Sequence, residues 1–261
     1  MATKKAITVP KNRSTAMATI DAELANEVAL LKKSIAQPSG NRITVKPTGN
    51  FILPDGMDLG DNIQVVVLDF ASANRLYIQN YDPNNISPPD CFAIGKILHE
   101  MAPDPLSPQP QSANCSQCPL NAFGSSSNGR GKACKNSREL AVLLIDPDNP
   151  ESANDPGAPI YTMSLPPKAL KSFDGAVGYV MRTLNAPPVK AVLTVTAVNV
   201  GTYAQISFID PVPNPDYAIH MARRSECESL LFRKPDYAAA ESKPKNKKTP
   251  VRPVARPAVR R

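Results

Sequence analysis

Apolar residues recur every three to four positions between Thr15 and Gln37, at Ile20, Leu24, Val28, Leu31 and Ile35. That spacing sets them on one face of a helix. Lys32 and Lys33 stand near its C-terminal end, where cations suit the helix dipole, and Pro38-Ser39-Gly40 stops it. A helix docked on its own domain is the preferred reading, with a partner-binding helix as the alternative. From Arg42 the period changes to two. Ile43 and Val45 alternate with polar neighbours, Pro54-Asp55-Gly56 signals a turn, and Ile63 to Phe70 is a β-branched strand. Ala71-Ser72-Ala73-Asn74 reads as the next turn. Arg75 to Gln79 reads as the returning strand, with Leu76 and Ile78 on one face and Arg75, Tyr77 and Gln79 on the other.

Regular patterning resumes after Cys134. Glu139 to Ile145 and Ile160 to Leu165 read as strands on either side of a loop rich in Asp, Asn and Pro. Pro166-Pro167 opens a helix, since Pro is tolerated in a first turn. Its face is Leu170, Phe173, Val177, Val180, Met181 and Leu184. Val189 to Val200 and Tyr203 to Ile209 form a strand pair turning at Gly201-Thr202. Pro215 to Phe232 reads as a last helix, with Ile219, Ala222, Leu230 and Leu231 inward.

The segment from Pro88 to Arg138 fits neither period. It holds four of the five cysteines, spaced C-x23-C-x2-C-x15-C, at Cys91, Cys115, Cys118 and Cys134. A two-residue gap lets both thiolates of the turn face one ion, and a second pair from elsewhere completes a tetrahedron. Pro, Ser, Asn and Gly dominate between the cysteines, too polar a mixture to order itself by burial. A structural zinc would supply the missing free energy. The alternatives are an iron–sulfur cluster, suggested by Cys118-Pro119 but not by the other spacings, a disulfide framework, a redox pair and unrelated thiols. No signal peptide is recognised, which favours a reducing cytosol over disulfides. His99 could replace Cys91 as a ligand, and Cys227, in a helical pattern, reads as a packing residue.

Length bounds the chain to one large domain or two small ones. Its 28 Pro imply long ordered loops, and no apolar run is long enough to span a membrane. The net charge of +7 is uneven. From Glu241 onward there are eight Lys or Arg and one Glu, while positions 1–240 hold 22 of each sign. Lys4, Lys5, Lys11 and Arg13 make the first residues basic too. The termini therefore point to polyanions. Residues 1–14 read as a flexible basic arm and 241–261 as a disordered basic tail.

Enzyme chemistry finds little support. His99 and His220 are the two histidines, and no phosphate-binding or dinucleotide glycine loop is present. Nucleic acid finds more. Arg130, Lys132, Lys135 and Arg138 fall within nine residues, beside glycines that permit close backbone approach to phosphates. Arg75 and Lys96 add cations, and Tyr77, Tyr81, Phe92 and Phe123 add rings on which bases could stack. The alternatives are a solvated charged face and half-buried aromatic packing.

The blocks Val67-Leu68-Asp69-Phe70, Tyr81-Asp82 and Pro88-Pro89-x-Cys91-Phe92-Ala93-x-Gly95, with Pro110-Gln111-Ser112-x-x-Cys115-x-x-Cys118-Pro119-x-Asn121 and Gly131-Lys132-Ala133-Cys134, resemble a family of tailed-phage proteins regarded as single-stranded DNA-binding. The resemblance covers residues 42–210. By looser analogy with phage helix-destabilising proteins, it implies an OB-type barrel with a zinc-bearing insert ligated by Cys91, Cys115, Cys118 and Cys134. A departure is the basic tail, where replicative single-strand binders commonly end in acid.

The sequence thus predicts an α+β fold: an antiparallel OB-like partial β-barrel over 15–240, with a cysteine-rich zinc-binding insert at 88–138 and peripheral helices. The expected function is non-catalytic coating of single-stranded DNA in the cytoplasm of an infected bacterial host, during replication or recombination. Arg75, Lys96, Arg130, Lys132, Lys135 and Arg138 would neutralise phosphates while Tyr77, Tyr81 and Phe92 stack on bases. Phage replication or recombination proteins are candidate partners. The alternatives are a zinc-module transcription or recombination factor acting through a protein partner, a virion structural protein touching DNA, and a nuclease.

Overall fold

A computed structural model describes residues 40–78 and 88–232. The expected basic arm, the first amphipathic segment, Tyr81 and the basic tail lie outside the described residues. The fold is mixed α+β. Its strands are β1 (Arg42–Val45), β2 (Phe51–Ile52), β3 (Asn62–Leu76), β4 (Cys91–Gly95), β5 (Lys135–Ile145), β6 (Tyr161–Leu165), β7 (Ala191–Asn199) and β8 (Ala204–Pro213). Among the described residues there are three α-helices, α1 (Leu170–Leu184), α2 (Tyr217–Ala222) and α3 (Cys227–Leu231). None is long and apolar enough to cross a membrane. The described residues fall into two compact units, one of 40–69 with 140–224, the other of 70–139 with 225–232.

In the first unit the strands run in the order β2-β1-β6-β5-β3-β7-β8. β1 pairs with β6 in parallel, so the sheet is mixed where an antiparallel one was expected. Val65, Val66, Val67 and Leu68 of β3 and Leu140 to Leu143 of β5 are all buried. Strands covered on both faces read as continuous apolar runs, and these do. β7 instead alternates, burying Ala191, Leu193, Val195 and Ala197. It pairs antiparallel with β8, with an irregularity between Val192 and Thr194. Pro166 and a short 3-10 turn at Pro167–Ala169 lead into α1. Phe173 of α1 meets Phe208 of β8 edge to face at 5.1 Å between ring centroids, and the Phe208 amide donates to Ser172 Oγ at 2.8 Å. Truncating a ring as buried as Phe173 typically costs about 3–5 kcal/mol.

Two local expectations are corrected. Ala71-Ser72-Ala73-Asn74 is not a turn but the buried interior of β3, which continues to Leu76. Small residues read as a turn in sequence, yet here successive ones are buried on both faces of a strand. The last helix is not continuous. It breaks into α2, a 3-10 segment at Arg223–Glu226, and α3. Ile219 is exposed while His220, Arg223, Cys227 and Leu231 are buried. Hydrogen bonds explain the rotation: Asn214 Nδ2 lies 3.0 Å from His220 Nδ1, and Arg223 Nη1 donates to the Ala158 carbonyl at 2.7 Å.

In the second unit, β4 pairs antiparallel with the later residues of β3, setting Leu76 opposite Cys91, Arg75 opposite Phe92 and Asn74 opposite Ala93. Met101 and Ser107 are buried in the loop that follows. The Phe92 amide donates to Ser107 Oγ at 3.0 Å, and that hydroxyl donates to the Phe92 carbonyl. A polar, proline-rich loop is thereby tied to a strand residue by residue.

Candidate metal centre and nucleic-acid surface

Cys91 opens β4, and Cys134 immediately precedes β5. The two remote members of the motif are therefore set by strands. Cys115 and Cys118 sit in the intervening loop. The Cys115 amide donates to Met101 O at 2.8 Å, the Asn121 amide to Cys118 O at 3.0 Å, and the Cys134 amide to Leu120 O at 2.9 Å. These bonds fold the loop back on itself. Asn114 begins the C-x2-C turn, its Oδ1 accepting the Ser116 amide at 2.8 Å.

All four cysteines line one pocket of about 20 Å³, together with Asn74, Leu76, Phe92 and Leu120 among others. That volume suits a single water-sized particle. All four are free thiols, three of them buried. Burial pushes the Cys134 thiol up to about 12, reinforced by the neighbouring Cys115, Cys91 and Cys118 and opposed by the Lys132 charge. Cys115 is also raised, first by burial, while a hydrogen bond from the Asn74 side chain pulls the other way. The thiols thus lie close enough to sense one another's charge. Among the described residues, no group of three or more His, Cys, Asp or Glu side chains is spaced to hold a metal ion as it stands. The donor set fits a soft or borderline cation, and closure around one would require the sulfurs to draw in.

An amide cluster supports the pocket. Asn136 Nδ2 donates to both Asn74 Oδ1 and Asn121 Oδ1, and Asn121 Nδ2 donates to the Cys115 carbonyl at 2.8 Å. Lys132 Nζ reaches Asn121 Oδ1 at 3.4 Å. Around a bound metal, such partners would orient the ligating groups. Their role was missed in the sequence, where the signal available was an Asn closely following each of Cys118 and Cys134.

The basic loop is built by its own backbone. Gly124 N donates to Gly131 O at 2.7 Å, and Gly129 and Gly131 take φ of +68° and +89°, in the region that favours glycine. Arg130 and Lys135 are exposed, Lys132 is half-buried, and Lys96 is exposed beyond β4. Phe123 in this loop is 83% exposed, and Tyr77, just after β3, is 48% exposed. The His99 side chain is exposed and does not line the pocket. Cys227 is buried in α3, as a packing residue should be.

Two assigned residues are corrected. Phe92 is buried in β4, so its ring packs against the interior and offers no face for a base. Arg138 is buried within β5, between buried Ser137 and Glu139, and is not a surface cation. Arg75 is half-buried and paired: Nη2 lies 2.8 Å from Glu139 Oε1 and Nη1 donates to Ser137 Oγ at 3.0 Å. Its charge is compensated within the unit. Tyr81 lies outside the described residues. Comparison with protein-family models, with curated proteins and with solved structures returns no match for this chain.

Proposed function

We propose that the chain is a non-catalytic single-stranded DNA-binding protein of a bacteriophage, acting in the host cytoplasm during replication or recombination. A structural zinc ion would be held by Cys91, Cys115, Cys118 and Cys134. The observation that carries this reading is the gathering of those four thiols around one ion-sized pocket in the same unit as the exposed basic loop. A bound ion supplies a fixed cross-link between strand and loop. The spacing of the four cysteines favours one ion over an iron–sulfur cluster.

The chain's own residues do the rest. Exposed Lys96, Arg130 and Lys135 and half-buried Lys132 would neutralise phosphates, and the exposed rings of Tyr77 and Phe123 in the same unit would stack on bases. Phe123 enters the reading in place of Phe92. The mixed α+β architecture is compatible with an OB-like partial barrel.

Fluorescence anisotropy with labelled single- and double-stranded oligonucleotides across salt tests the reading, with metal content measured on the same sample. Preference for single strands, a steep fall with salt, and one metal per chain are expected. Affinity that stays constant from low to high salt would refute it. A second reading, a zinc module that docks on a replication or recombination protein, is favoured by the exposure of Phe123, an apolar anchor that could seat in a protein pocket as readily as on a base. Loss of partner binding but not of DNA binding in Phe123→Ala would select it.

A further inference from the structure

The first unit contains a cavity of about 890 Å³ that the reading above leaves unused. Ile63, Leu143 and Ala153 supply buried apolar surface, and Tyr161 lines a wall. Asp146 and Asp155 line it as well, with exposed Asp148 and Glu151 in the same loop. Among its described lining residues there is no Lys or Arg. An acidic rim disfavours phosphate, and an apolar floor suits the apolar stripe of an amphipathic segment.

The chain enters the unit at this rim. The Asn41 carbonyl accepts the Thr162 amide at 2.7 Å, and Asn41 Nδ2 donates to the Ile160 carbonyl at 3.1 Å. Tyr161, between those two partners, lines the cavity. Residues 1–39 are thus tethered two residues from the rim. Within them, 15–37 carry the stripe Ile20, Leu24, Val28, Leu31 and Ile35, with Lys32 and Lys33 against Asp21, Glu23 and Glu27, while Lys4, Lys5, Lys11 and Arg13 precede that segment. The apolar spacing complements the cavity floor, and the cations at 4–13 together with Lys32 complement its rim.

We propose that the segment Thr15–Gln37 lays its apolar stripe into this cavity of its own chain, with Lys32, on the flank of that stripe, at the acidic rim. A short tether holds the segment at an effective concentration in the mM range, so a weak contact suffices. The inference is independent of the DNA-binding reading.

Amide hydrogen exchange on the full chain tests it. Leu24→Asp with Leu31→Asp should speed exchange in 20–35 and in the walls at 143–146 and 158–161 by about tenfold. The pair Ala22→Asp with Asn26→Asp, on the opposite face of the same helical pattern, should change neither. Gln64→Arg, at an exposed lining position, should set a charged head against the seated apolar stripe and speed exchange in 20–35 without any change to the segment itself. Light scattering should report a monomer throughout. Equal exchange in the wild type and in both cavity-directed variants would overturn the proposal. So would protection that fades on dilution, which would make a second copy the occupant.

Discussion

Replacing Arg130 and Lys135 by Gln tests the role of the basic loop, and its expected size follows from counting surface charge. Both side chains are exposed, and neither position lies in the core. Each phosphate neutralised on a single strand contributes about −0.7 to the slope of log K against log salt. Losing two contacts should make the slope shallower by about 1.4. Between 50 and 200 mM salt, the wild type should then lose about sevenfold more affinity than the variant. Comparing slopes cancels whatever the basic tail adds, because both proteins carry it. Arg75→Gln provides the contrast. Its guanidinium already faces Glu139 at 2.8 Å, so the slope should stay at the wild-type value. Anisotropy titrations with a labelled single strand at several salt concentrations give the three slopes. Identical slopes for the wild type and the Arg130/Lys135 double variant would refute the assignment of this loop to phosphate.

Cys115→Ser with Cys118→Ser should abolish bound metal, read by elemental analysis, and speed amide exchange across 91–134; retention of stoichiometric metal would sink the four-cysteine assignment. Gly49 takes φ +103°, and an added Cβ would stand 2.7 Å from the Ala197 carbonyl oxygen, so Gly49→Ala should cost at least about 1–2 kcal/mol in chemical denaturation. His220 is buried, which holds its imidazole below the usual range, against the pull of Asp216 and the Ala153 backbone. The unfolded chain therefore binds the extra proton, and the stability His220 contributes is present above its unfolded value of 6.5 and lost as pH falls below it. Denaturation midpoints between pH 7.5 and 5 should show that decline, and His220→Gln should flatten it.

Where one physical demand dominated a stretch, the sequence made it readable. β7 and β8 each bury one face, so their alternation named both strands and the turn at Gly201-Thr202. The cysteine spacing suggested that residues 91 and 134 belong with 115 and 118, and all four line one pocket. Reading failed where surroundings override residue type. Ala71 to Asn74 look like a turn, but their small side chains pack a strand buried on both sides. Arg138 and Phe92 could not be assigned a face, since burial depends on which strands cover β5 and β4. In α2, one buried pair, Asn214 with His220, turned the helix away from its apolar stripe. Nothing in the period of Ile219, Ala222 and Leu230 announces that constraint.

The parallel pairing of β1 with β6 joins Arg42 to Thr162, about 120 residues later. A ribosome adds about 5–20 residues each second, so β1 emerges roughly 6–24 s before its partner exists. Leu193 and Val195 arrive later still, leaving the valines of β3 without their neighbour on that side. By contrast, β7 and β8 are separated by a few residues and can zip together as soon as both are made. Synthesis thus imposes a waiting period on the apolar N-terminal strands, during which they present open edges to other nascent chains. Expression at lower temperature or with added chaperone should raise the soluble yield, and moving β1 to follow β6 in a permuted chain should shorten the wait.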